Sequence, residues 1–299
     1  MDGLTELAES ELARMGISRA ALSHIRSKDG AHLWRLASSE GGGVLKLFDR
    51  PEHRREIANY GILAAVGVPT LRLLACTERA IVMEDIESER SAYRLGEERD
   101  LEDPEVARLV ARWYKNLHEN GRQYAKLGKL YDESDCLTLE NIGYVKERLA
   151  LGEKRARRAW EILEGGFGTM LAVVADLPRT LTYNDFYWTN LAVAKDGKSA
   201  IMFDYNMLGK GYAYSDARNV LSSLGNNARE VFLDEYGPYS QAQRAVDDVA
   251  SPLVTLHFAC RRDGLLPEWA EESVEILRDG RMEGYLERLL CWRKEPGSG

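Results

Sequence analysis

The 299-residue sequence has few of the residues that form structural metal sites or disulfide bonds. Its four cysteines are far apart and form no C-x-x-C pair, and its five histidines are scattered, which disfavours a structural zinc site. Unpaired, distant cysteines are typical of a reducing compartment. No apolar run approaches the roughly 20 residues that span a bilayer, and the N-terminal residues lack the basic-then-apolar pattern of a secretion signal. We therefore expect a cytoplasmic protein without a membrane partner.

The sequence also has no excess of basic residues. Forty Lys and Arg residues stand against 48 Asp and Glu residues, for a net charge of -8. A nucleic-acid partner is disfavoured, because phosphate binding requires a concentrated basic face. The densest basic runs, at 54–55 and 154–158, lie in helical-looking stretches and predict solvated helix faces. The negative charge permits a cationic ligand, although most acidic surfaces serve only solubility.

The first third of the chain is predicted to form short strands around one helix. Residues 32–37 alternate polar and apolar, 44–48 form an apolar run, and the glycine triplet 41–43 joins them as a hairpin turn. The triplet could cradle a phosphate, but its place directly before a strand favours the turn. A helix is predicted from Pro51 to about Val66. Two further strands are predicted at 71–75 and 80–83.

The pattern changes after residue 86. Residues 87–103 are charged and aperiodic, which predicts a linker, and 104–120 have the spacing of an amphipathic helix. Beyond them we predict helices at 137–149, 156–163 and over most of 216–292, strands at 180–182, 191–193 and 200–203, and a frayed tail at 295–299. This order predicts an α+β, bilobal fold with a cleft between the lobes. Residues 1–86 form a small β-rich lobe, and residues 87–299 form a larger, mostly helical lobe.

The most informative segment runs from Leu181 to Val193 and places Asp185 and Asn190 five residues apart, between two apolar strands. The next strand ends on Asp204. These side chains make an oxygen-only ligand set, which suits Mg²⁺, and one carboxylate could accept a proton from an attacking hydroxyl. A chain of this length has a fair chance of containing one D-x-x-x-x-N, and the two acids could equally be a turn former and a strand-end cap.

D-x-x-x-x-N followed by an apolar strand ending in Asp resembles the catalytic and metal loops of the eukaryotic-type kinase superfamily. It is most similar to the aminoglycoside phosphotransferase and choline kinase branch, over roughly residues 20–225. The resemblance implies a protein-kinase-like fold whose N-terminal lobe binds the nucleotide. It also implies that Asp185 is the base that deprotonates the acceptor hydroxyl. Asn190 and Asp204 would then hold the Mg²⁺ ions that bridge the ATP phosphates.

Other segments agree with this family in the expected order. Lys46 lies in the third N-terminal strand, where the family has its phosphate-binding lysine, and Glu56 lies one helix further on, where the partner acid is expected. Residues 80–86 match the strand and hinge whose backbone meets the adenine. The resemblance therefore assigns Glu84 and Ile86 to nucleotide binding.

The sequence departs from the family pattern at several positions. Tyr183 and Asn184 stand where the family usually has His and Gly, and Tyr205-Asn206 replaces an aromatic–Gly pair. The phosphate-covering loop is poor in glycine, with only Gly30 between the first two strands. These departures keep open an alternative function, a catalytically weak kinase-like module that binds nucleotide. A helical interaction protein without a nucleotide site agrees poorly with the residue set. A protein kinase is disfavoured, because the sequence after the metal-binding acid leaves no room for a long activation segment.

The function that these features predict is a Mg²⁺-dependent kinase that transfers the γ-phosphate of ATP, or of GTP, to a hydroxyl of a small acceptor. The net charge favours a cationic acceptor, such as an aminoglycoside-like sugar or an amino alcohol, over a neutral or acidic metabolite. Candidate acceptor contacts are Asp234, Glu235, Tyr236, Asp263, Glu268, Trp269 and Glu271. The sequence does not identify the acceptor or the oligomeric state.

Overall fold

The computed structural model describes residues 2–18, 20–37, 42–124 and 126–292. The predicted turn residues 38–41 and the predicted tail 295–299 lie outside these ranges. The helices are α1 (Asp2–Arg14), α2 (Arg55–Ala65), α3 (Pro104–Gly121), α4 (Leu139–Leu149), α5 (Lys154–Asp176), α6 (Ala213–Ser223), α7 (Asn226–Tyr236), α8 (Gln241–Cys260), α9 (Glu271–Arg278) and α10 (Arg281–Trp292). The strands are β1 (Ala21–Lys28), β2 (Ala31–Ala37), β3 (Gly43–Phe48), β4 (Leu73–Cys76), β5 (Ala80–Met83), β6 (Tyr93–Leu95), β7 (Thr180–Thr182), β8 (Leu191–Ala194), β9 (Ala200–Met202) and β10 (Gly209–Gly211).

The chain divides into two compact units that are not continuous in sequence. The first unit comprises Met1–Gly128, Leu181–Gly209 and Asn219–Gly237, and the second comprises Lys129–Thr180, Lys210–Arg218 and Pro238–Gly299. The first unit holds β1 to β5 and the segments that carry the candidate base and metal ligands. The lobe boundary at residue 86 stays a prediction.

An antiparallel sheet with the order β1-β2-β3-β5-β4 organises the first unit. Successive residues of a strand point to opposite faces, so each strand contributes to two environments. One face carries large apolar side chains that pack together with α1: Trp34, Leu36, Leu45, Leu47, Ala80 and Val82. The opposite face carries Leu33 and Lys46, which stand directly across from each other in the β2–β3 pair. The sheet therefore presents Lys46 on the side away from its packed core.

Helix α1 was absent from the sequence prediction, which placed a single helix in the first third of the chain. Its apolar residues Leu4, Leu7, Ala8 and Leu12 recur at helical spacing and cover the sheet. The pattern was therefore present in the sequence. Burial of this stripe closes the packed face of the sheet.

Helix α2 begins later than predicted, because Pro51–Arg54 form a 3₁₀ turn before it. It ends where Gly67 takes a φ of 72°, a left-handed conformation that favours glycine. The buried face of α2 contains Asn59, Tyr60 and Leu63 beside Glu56. A carboxylate that is fully buried in such a helix needs a cationic partner.

The segment predicted as an aperiodic linker, 87–103, contains regular structure. Strand β6 pairs with β8, which also pairs with β9, and a 3₁₀ turn follows at Glu98–Leu101. Gly96 donates its N–H to the carbonyl of Leu191, 2.7 Å away. A three-residue strand gives too short a pattern to detect by periodicity.

The second unit is mostly helical, as predicted, around a core shared by α4, α5, α8, α9 and α10. The central members of this core include Trp160, Leu163, Met170, Val249, Leu253, Leu256, Leu277 and Leu286. Helix α5 runs from Lys154 to Asp176 and is much longer than the predicted 156–163. Among the described residues, no helix combines the length and apolar character needed to cross a membrane.

Candidate active site

The ammonium of Lys46 lies between two carboxylates that come from distant parts of the sequence. Its Nζ is 2.6 Å from Oε2 of Glu56 on α2 and 2.8 Å from Oδ1 of Asp204, which follows β9. Lys46 is 5% exposed and Glu56 is fully buried. The structure therefore contains the Lys46–Glu56 ion pair expected from the sequence and extends it to Asp204.

The ionisation of this cluster follows from burial and pairing. Burial lowers the pKa of Lys46, but the two carboxylates outweigh it and hold the pKa above its usual value, so the ammonium is retained. Burial raises the pKa of Glu56, against the opposing effect of Lys46. The second oxygen of Glu56, Oε1, is buried without a hydrogen-bond partner. Glu56 thus depends on Lys46 for its compensation.

The loop after β7 holds Asp185 and Asn190 in one hydrogen-bonded turn. Nδ2 of Asn190 lies 3.1 Å from Oδ2 of Asp185 and 3.2 Å from the Asp185 backbone carbonyl. The amide nitrogen is therefore directed at Asp185, which leaves Oδ1 of Asn190 for another partner. The backbone carbonyl of Asn190 accepts from the N–H of Phe203 at 3.0 Å. This bond ties the loop to the residue before Asp204.

The pKa of the Asp185 carboxyl lies close to the neutral pH range. Burial, followed by the negative charge of Asp204, raises its pKa to about 6, while Asn190, Lys28 and Lys46 oppose the shift. A base with a pKa close to the working pH is well placed to accept a proton. The contribution of Lys28 shows that a cation outside the predicted set acts on Asp185.

Tyr183 is fully buried, and its hydroxyl donates a hydrogen bond to the backbone carbonyl of Phe203. The ring packs edge-on against Trp113 and Tyr205, with ring centroids 5.7 and 6.0 Å away. The tyrosine therefore joins the loop of Asp185 to the strand end that carries Asp204. It fills the bracing position where the family usually has histidine.

Asn184 and Asp204 both have left-handed backbones, with φ of 66° and 64°. Asn and Asp tolerate this region better than other residues with a side chain, which explains how Asn184 can replace the usual glycine. Asn184 also donates to the carbonyl of Met207 at 3.0 Å. At the Tyr205-Asn206 departure, the positive φ falls on Asp204 and not on Asn206. Asn206 therefore replaces glycine without backbone strain.

Helix α2 also supports the metal loop through two residues that the sequence analysis missed. Nδ2 of Asn59 donates to the backbone carbonyl of Tyr205 at 2.7 Å, and the rings of Tyr60 and Tyr205 are in an edge-on contact 4.8 Å apart. One helix therefore positions both Glu56 and the backbone next to Asp204. Asn59 lies three residues after Glu56, one helical turn away, and this spacing could have identified it.

A mainly apolar cavity of about 290 Å³ lies beside Lys46. Its apolar lining includes Val44, Leu71, Met83, Ile86 and Phe203. Glu84 also lines it, but its carboxylate accepts from the backbone N–H of Arg72 at 2.8 Å. Within the described residues, the carbonyl of Glu84 and the N–H of Ile86 make no hydrogen bond. The cavity wall therefore offers one free acceptor and one free donor, two residues apart.

A second cavity of about 290 Å³ is polar and is lined by the predicted base, the predicted metal ligands and the Lys46–Glu56 pair. It is lined by Arg26, Lys28, Asp29, Ala31, Leu33, Lys46, Phe48, His53, Glu56, Asp185, Tyr187, Thr189, Asn190, Asp204 and Asn206. The structure thus brings Lys46, Glu56, Asp185, Asn190 and Asp204 to one cavity. Glu84 and Ile86 line the adjacent apolar cavity. Arg26 and Lys28 are the two cations of the lining, apart from Lys46 and His53, that the sequence analysis did not assign to the site.

The donor set of the polar cavity fits a divalent cation. Asp185 and Asp204 are carboxylates, and burial followed by the charge of Asp204 raises the pKa of Asp185; no described residue donates a hydrogen bond to the amide oxygen of Asn190. Hard oxygen ligands with an excess of negative charge are the environment that Mg²⁺ prefers. Asp204 and Asn190 would hold the ion.

Two of the candidate acceptor residues are engaged within the first unit. Glu235 forms an ion pair with Arg112, with Oε1 and Nε 3.0 Å apart, and the hydroxyl of Tyr236 lies 2.6 Å from Nδ1 of His118. Asp263, Glu268 and Glu271 are exposed in the second unit, where Arg262 stacks on Trp269. Glu235 is therefore a weak candidate for an acceptor contact.

Comparison with known sequences gives one family match. A sequence model described as the phosphotransferase enzyme family matches residues 29–251. No curated protein sequence matches the chain.

Three solved structures named as small-molecule kinases or phosphotransferases align with this chain. A choline kinase from Streptococcus pneumoniae aligns with a TM-score of 0.62 at 11% identity, covering 96% of this chain and 99% of the other. A Plasmodium vivax ethanolamine kinase aligns with a TM-score of 0.54 at 11% identity, covering 94% and 84%. A spectinomycin phosphotransferase bound to ADP and spectinomycin aligns at 0.52 and 12%, covering 98% of each chain. At these identities the likeness establishes the fold, and the α+β, bilobal kinase-like prediction is confirmed.

Proposed function

This chain belongs to the phosphotransferase enzyme family, and on that premise we propose that it transfers the γ-phosphate of ATP to a hydroxyl of a small cationic acceptor. The observation that carries the proposal is the polar cavity in which Lys46, Asp185, Asn190 and Asp204 converge beside an apolar cavity. In this assignment, Asp185 accepts the proton of the acceptor hydroxyl. Lys46, held by Glu56, binds the nucleotide phosphates.

A bound Mg²⁺ would neutralise the phosphate charge, and Asn190 and Asp204 are the residues assigned to hold it. The protein groups around it supply positioning. Asn190 fixes the carboxylate of Asp185 through its amide nitrogen, and Tyr183 links the Asp185 loop to the backbone before Asp204. The base and the metal ligands are therefore positioned by one connected set of hydrogen bonds.

The apolar cavity favours adenine as the base. The free carbonyl of Glu84 can accept a hydrogen bond from an amino group, and the free N–H of Ile86 can donate to a ring nitrogen. Adenine presents this donor–acceptor pair at adjacent positions, whereas guanine presents the opposite order on the equivalent edge. We therefore assign ATP in preference to GTP.

The catalytically weak alternative rested on Tyr183 and Asn184. Tyr183 supplies a bracing hydrogen bond, and Asn184 accommodates the left-handed backbone that glycine usually provides. Neither departure removes a charged group from the polar cavity. This supports an active enzyme over a module that only binds nucleotide.

One acid of the second unit has no cationic partner among the described residues. Burial, followed by the charge of Asp216, raises the pKa of Glu133 to about 7. Its neighbours Asp132 and Asp247 pair with Arg179 and Arg218, whereas Glu133 forms no ion pair among the described residues. The assignment to an amine-bearing acceptor rests on the net charge of the chain.

Matched pairs of acceptors test the proposed substrate class. ADP release is measured with amino alcohols and aminoglycosides, each beside its deaminated analogue and at two ionic strengths. We expect turnover with an amine-bearing member and a KM that rises with salt while kcat changes little, because salt screens steering at a Debye length of about 8 Å. Preference for a neutral or acidic acceptor would contradict the cationic assignment and leave the kinase assignment standing.

Mg²⁺ with ATP should raise the melting temperature, whereas ATP with excess chelator should not. Ligand that binds only the folded protein stabilises it, by about 2.7 kcal/mol at a hundredfold excess over Kd. Thermal unfolding at millimolar Mg-ATP checks this. No shift would argue against both a kinase and a nucleotide-binding module.

The variant Asp204→Asn tests whether Asp204 holds the metal ion. Asparagine tolerates the left-handed backbone at this position, so the change removes charge without the strain that alanine would add. The Mg²⁺-dependent part of the thermal shift should be lost. A full shift in this variant would show that Asp204 does not hold the ion.

A further inference from the structure

The turn between β1 and β2, which contributes Asp29 to the lining of the polar cavity, has only two residues. Asp29 and Gly30 both have positive φ, at 50° and 83°, which defines the tight hairpin geometry that Asp-Gly favours. A side chain at Gly30 would collide with Asp49 and Arg50. A turn this short has few backbone N–H groups with which to cradle phosphate, in agreement with the glycine-poor loop seen in the sequence.

A β-bulge supplies cationic side chains in place of such N–H groups. The pairing of β1 with β2 shifts between His24 and Arg26, so that Arg26, and not Ile25, stands opposite Leu33. Leu33 in turn stands opposite Lys46 in the β2–β3 pair. Directly opposed residues of antiparallel strands lie on the same face. The bulge thus places Arg26 on the face that carries Lys46.

Lys28 follows two residues after Arg26 and lies on the same face, opposite Ala31. Both cations line the polar cavity together with Asp185 and Asp204. In the part of the chain that the structure describes, neither side chain makes an ion pair or a hydrogen bond with the protein. Arg35, further along the sheet, is instead held by Asp85, with its Nε 2.7 Å from Oδ2. Arg26 and Lys28 are therefore two cations that line the polar cavity and have no partner among the described residues.

We propose that Arg26 and Lys28 bind the terminal phosphate of the nucleotide in place of the backbone amides of a glycine-rich loop. The inference rests on the proposed function. In the transfer, the acceptor oxygen forms a bond to the γ-phosphorus and its proton passes to Asp185. The bond from the γ-phosphorus to the bridging oxygen breaks, and ADP leaves. Guanidinium and ammonium donors match the charge on the γ-phosphoryl oxygens, which ADP lacks.

The affinity difference between ATP and ADP tests this assignment. Dissociation constants for Mg²⁺ with a non-hydrolysable ATP analogue and with ADP are measured for wild type, Lys28→Met, Arg26→Met and Lys28→Arg. Lys195→Met is the matched control, because Lys195 is an exposed lysine that lines neither cavity. Each loss of a cation should weaken the ATP analogue by roughly tenfold or more, since charge-assisted hydrogen bonds are among the stronger ones. ADP affinity should change little, Lys28→Arg should recover most of the loss, and Lys195→Met should match wild type.

Equal weakening of both nucleotides, or no weakening in a wild type that binds ATP, would overturn this inference alone. A wild type that binds neither nucleotide would overturn it together with the proposed function. Circular dichroism of the variants checks the hairpin, because a loss of ATP affinity with altered folding would also count against a direct contact.

Discussion

Asp185→Asn should lower turnover by about 10²–10⁴-fold, the usual contribution of a positioned base. The amide keeps the size of the carboxylate and a hydrogen bond to Asn190, but it cannot accept the proton of the acceptor hydroxyl. Nucleotide affinity should stay close to that of wild type, because the phosphate-binding cations are unchanged. ADP release under saturating nucleotide, together with the nucleotide dissociation constant, separates the two effects. Near-wild-type turnover would show that the base is wrongly assigned.

The pH dependence provides a second measurement of the same residue. Since the pKa of Asp185 is raised to about 6, the ionised fraction falls as the pH drops below that value. The quantity kcat/KM should therefore be level above about pH 6 and decline on the acid side. In Asp185→Asn the residual activity should lack this acid limb. If the variant keeps the same decline of kcat/KM at acid pH, a group other than Asp185 causes that decline.

Lys46→Met should abolish most turnover and also destabilise the protein. The change removes the cation that binds the phosphates and leaves Glu56 buried without its partner. Breaking a buried pair from one side typically costs about 3–5 kcal/mol. Steady-state kinetics and denaturant unfolding measure the two losses. If the variant keeps wild-type stability and turnover, Lys46 takes part in neither phosphate binding nor the buried ion pair.

The loss of stability in Lys46→Met should depend on pH, and the ionisation of Glu56 determines whether it grows or shrinks as the pH rises. Burial raises the pKa of Glu56, and loss of Lys46 removes the opposing effect. Above the unfolded pKa of about 4.3, the folded variant holds a proton that the unfolded chain has released, so this contribution to stability is complete below that pH and is lost as the pH rises. The free energy of unfolding falls by about 1.4 kcal/mol per pH unit until the pH passes the pKa of folded Glu56. The double variant Lys46→Met, Glu56→Gln should lose this dependence while remaining inactive.

The prediction of elements and site residues from the sequence was most accurate where residue spacing and residue chemistry indicated the same structure. Asp185, Asn190 and Asp204 flank short apolar strands, and Lys46 lies in a short apolar strand, so these residues could be selected once the order of the segments was seen to resemble that of the family. Helix α3 was predicted to within one residue because Pro104 begins it and a long apolar stripe continues it. Their roles remain proposals, but their convergence is visible in the structure.

The features that were missed depend on register or on contacts distant in sequence. The bulge that turns Arg26 and Lys28 to the cavity cannot be seen in the alternation of β1, which would place Ile25 there. Strand β6 is too short for a periodic signal and is defined by its partner β8. The bracing role of Tyr183 requires the carbonyl of Phe203, twenty residues away, to be in reach. Such contacts follow from packing and not from local propensity.

Gly96 lines the apolar cavity and not the polar one, yet it constrains the turn that holds Asn190. A Cβ there would collide with the backbone carbonyl of Trp188 and with Leu191, on either side of Asn190. Backbone cannot repack as a side chain can, so even alanine would have to displace the turn that presents Asn190. Substitutions at Gly96 are therefore limited by the geometry of the turn that carries Asn190, almost a hundred residues further along the chain.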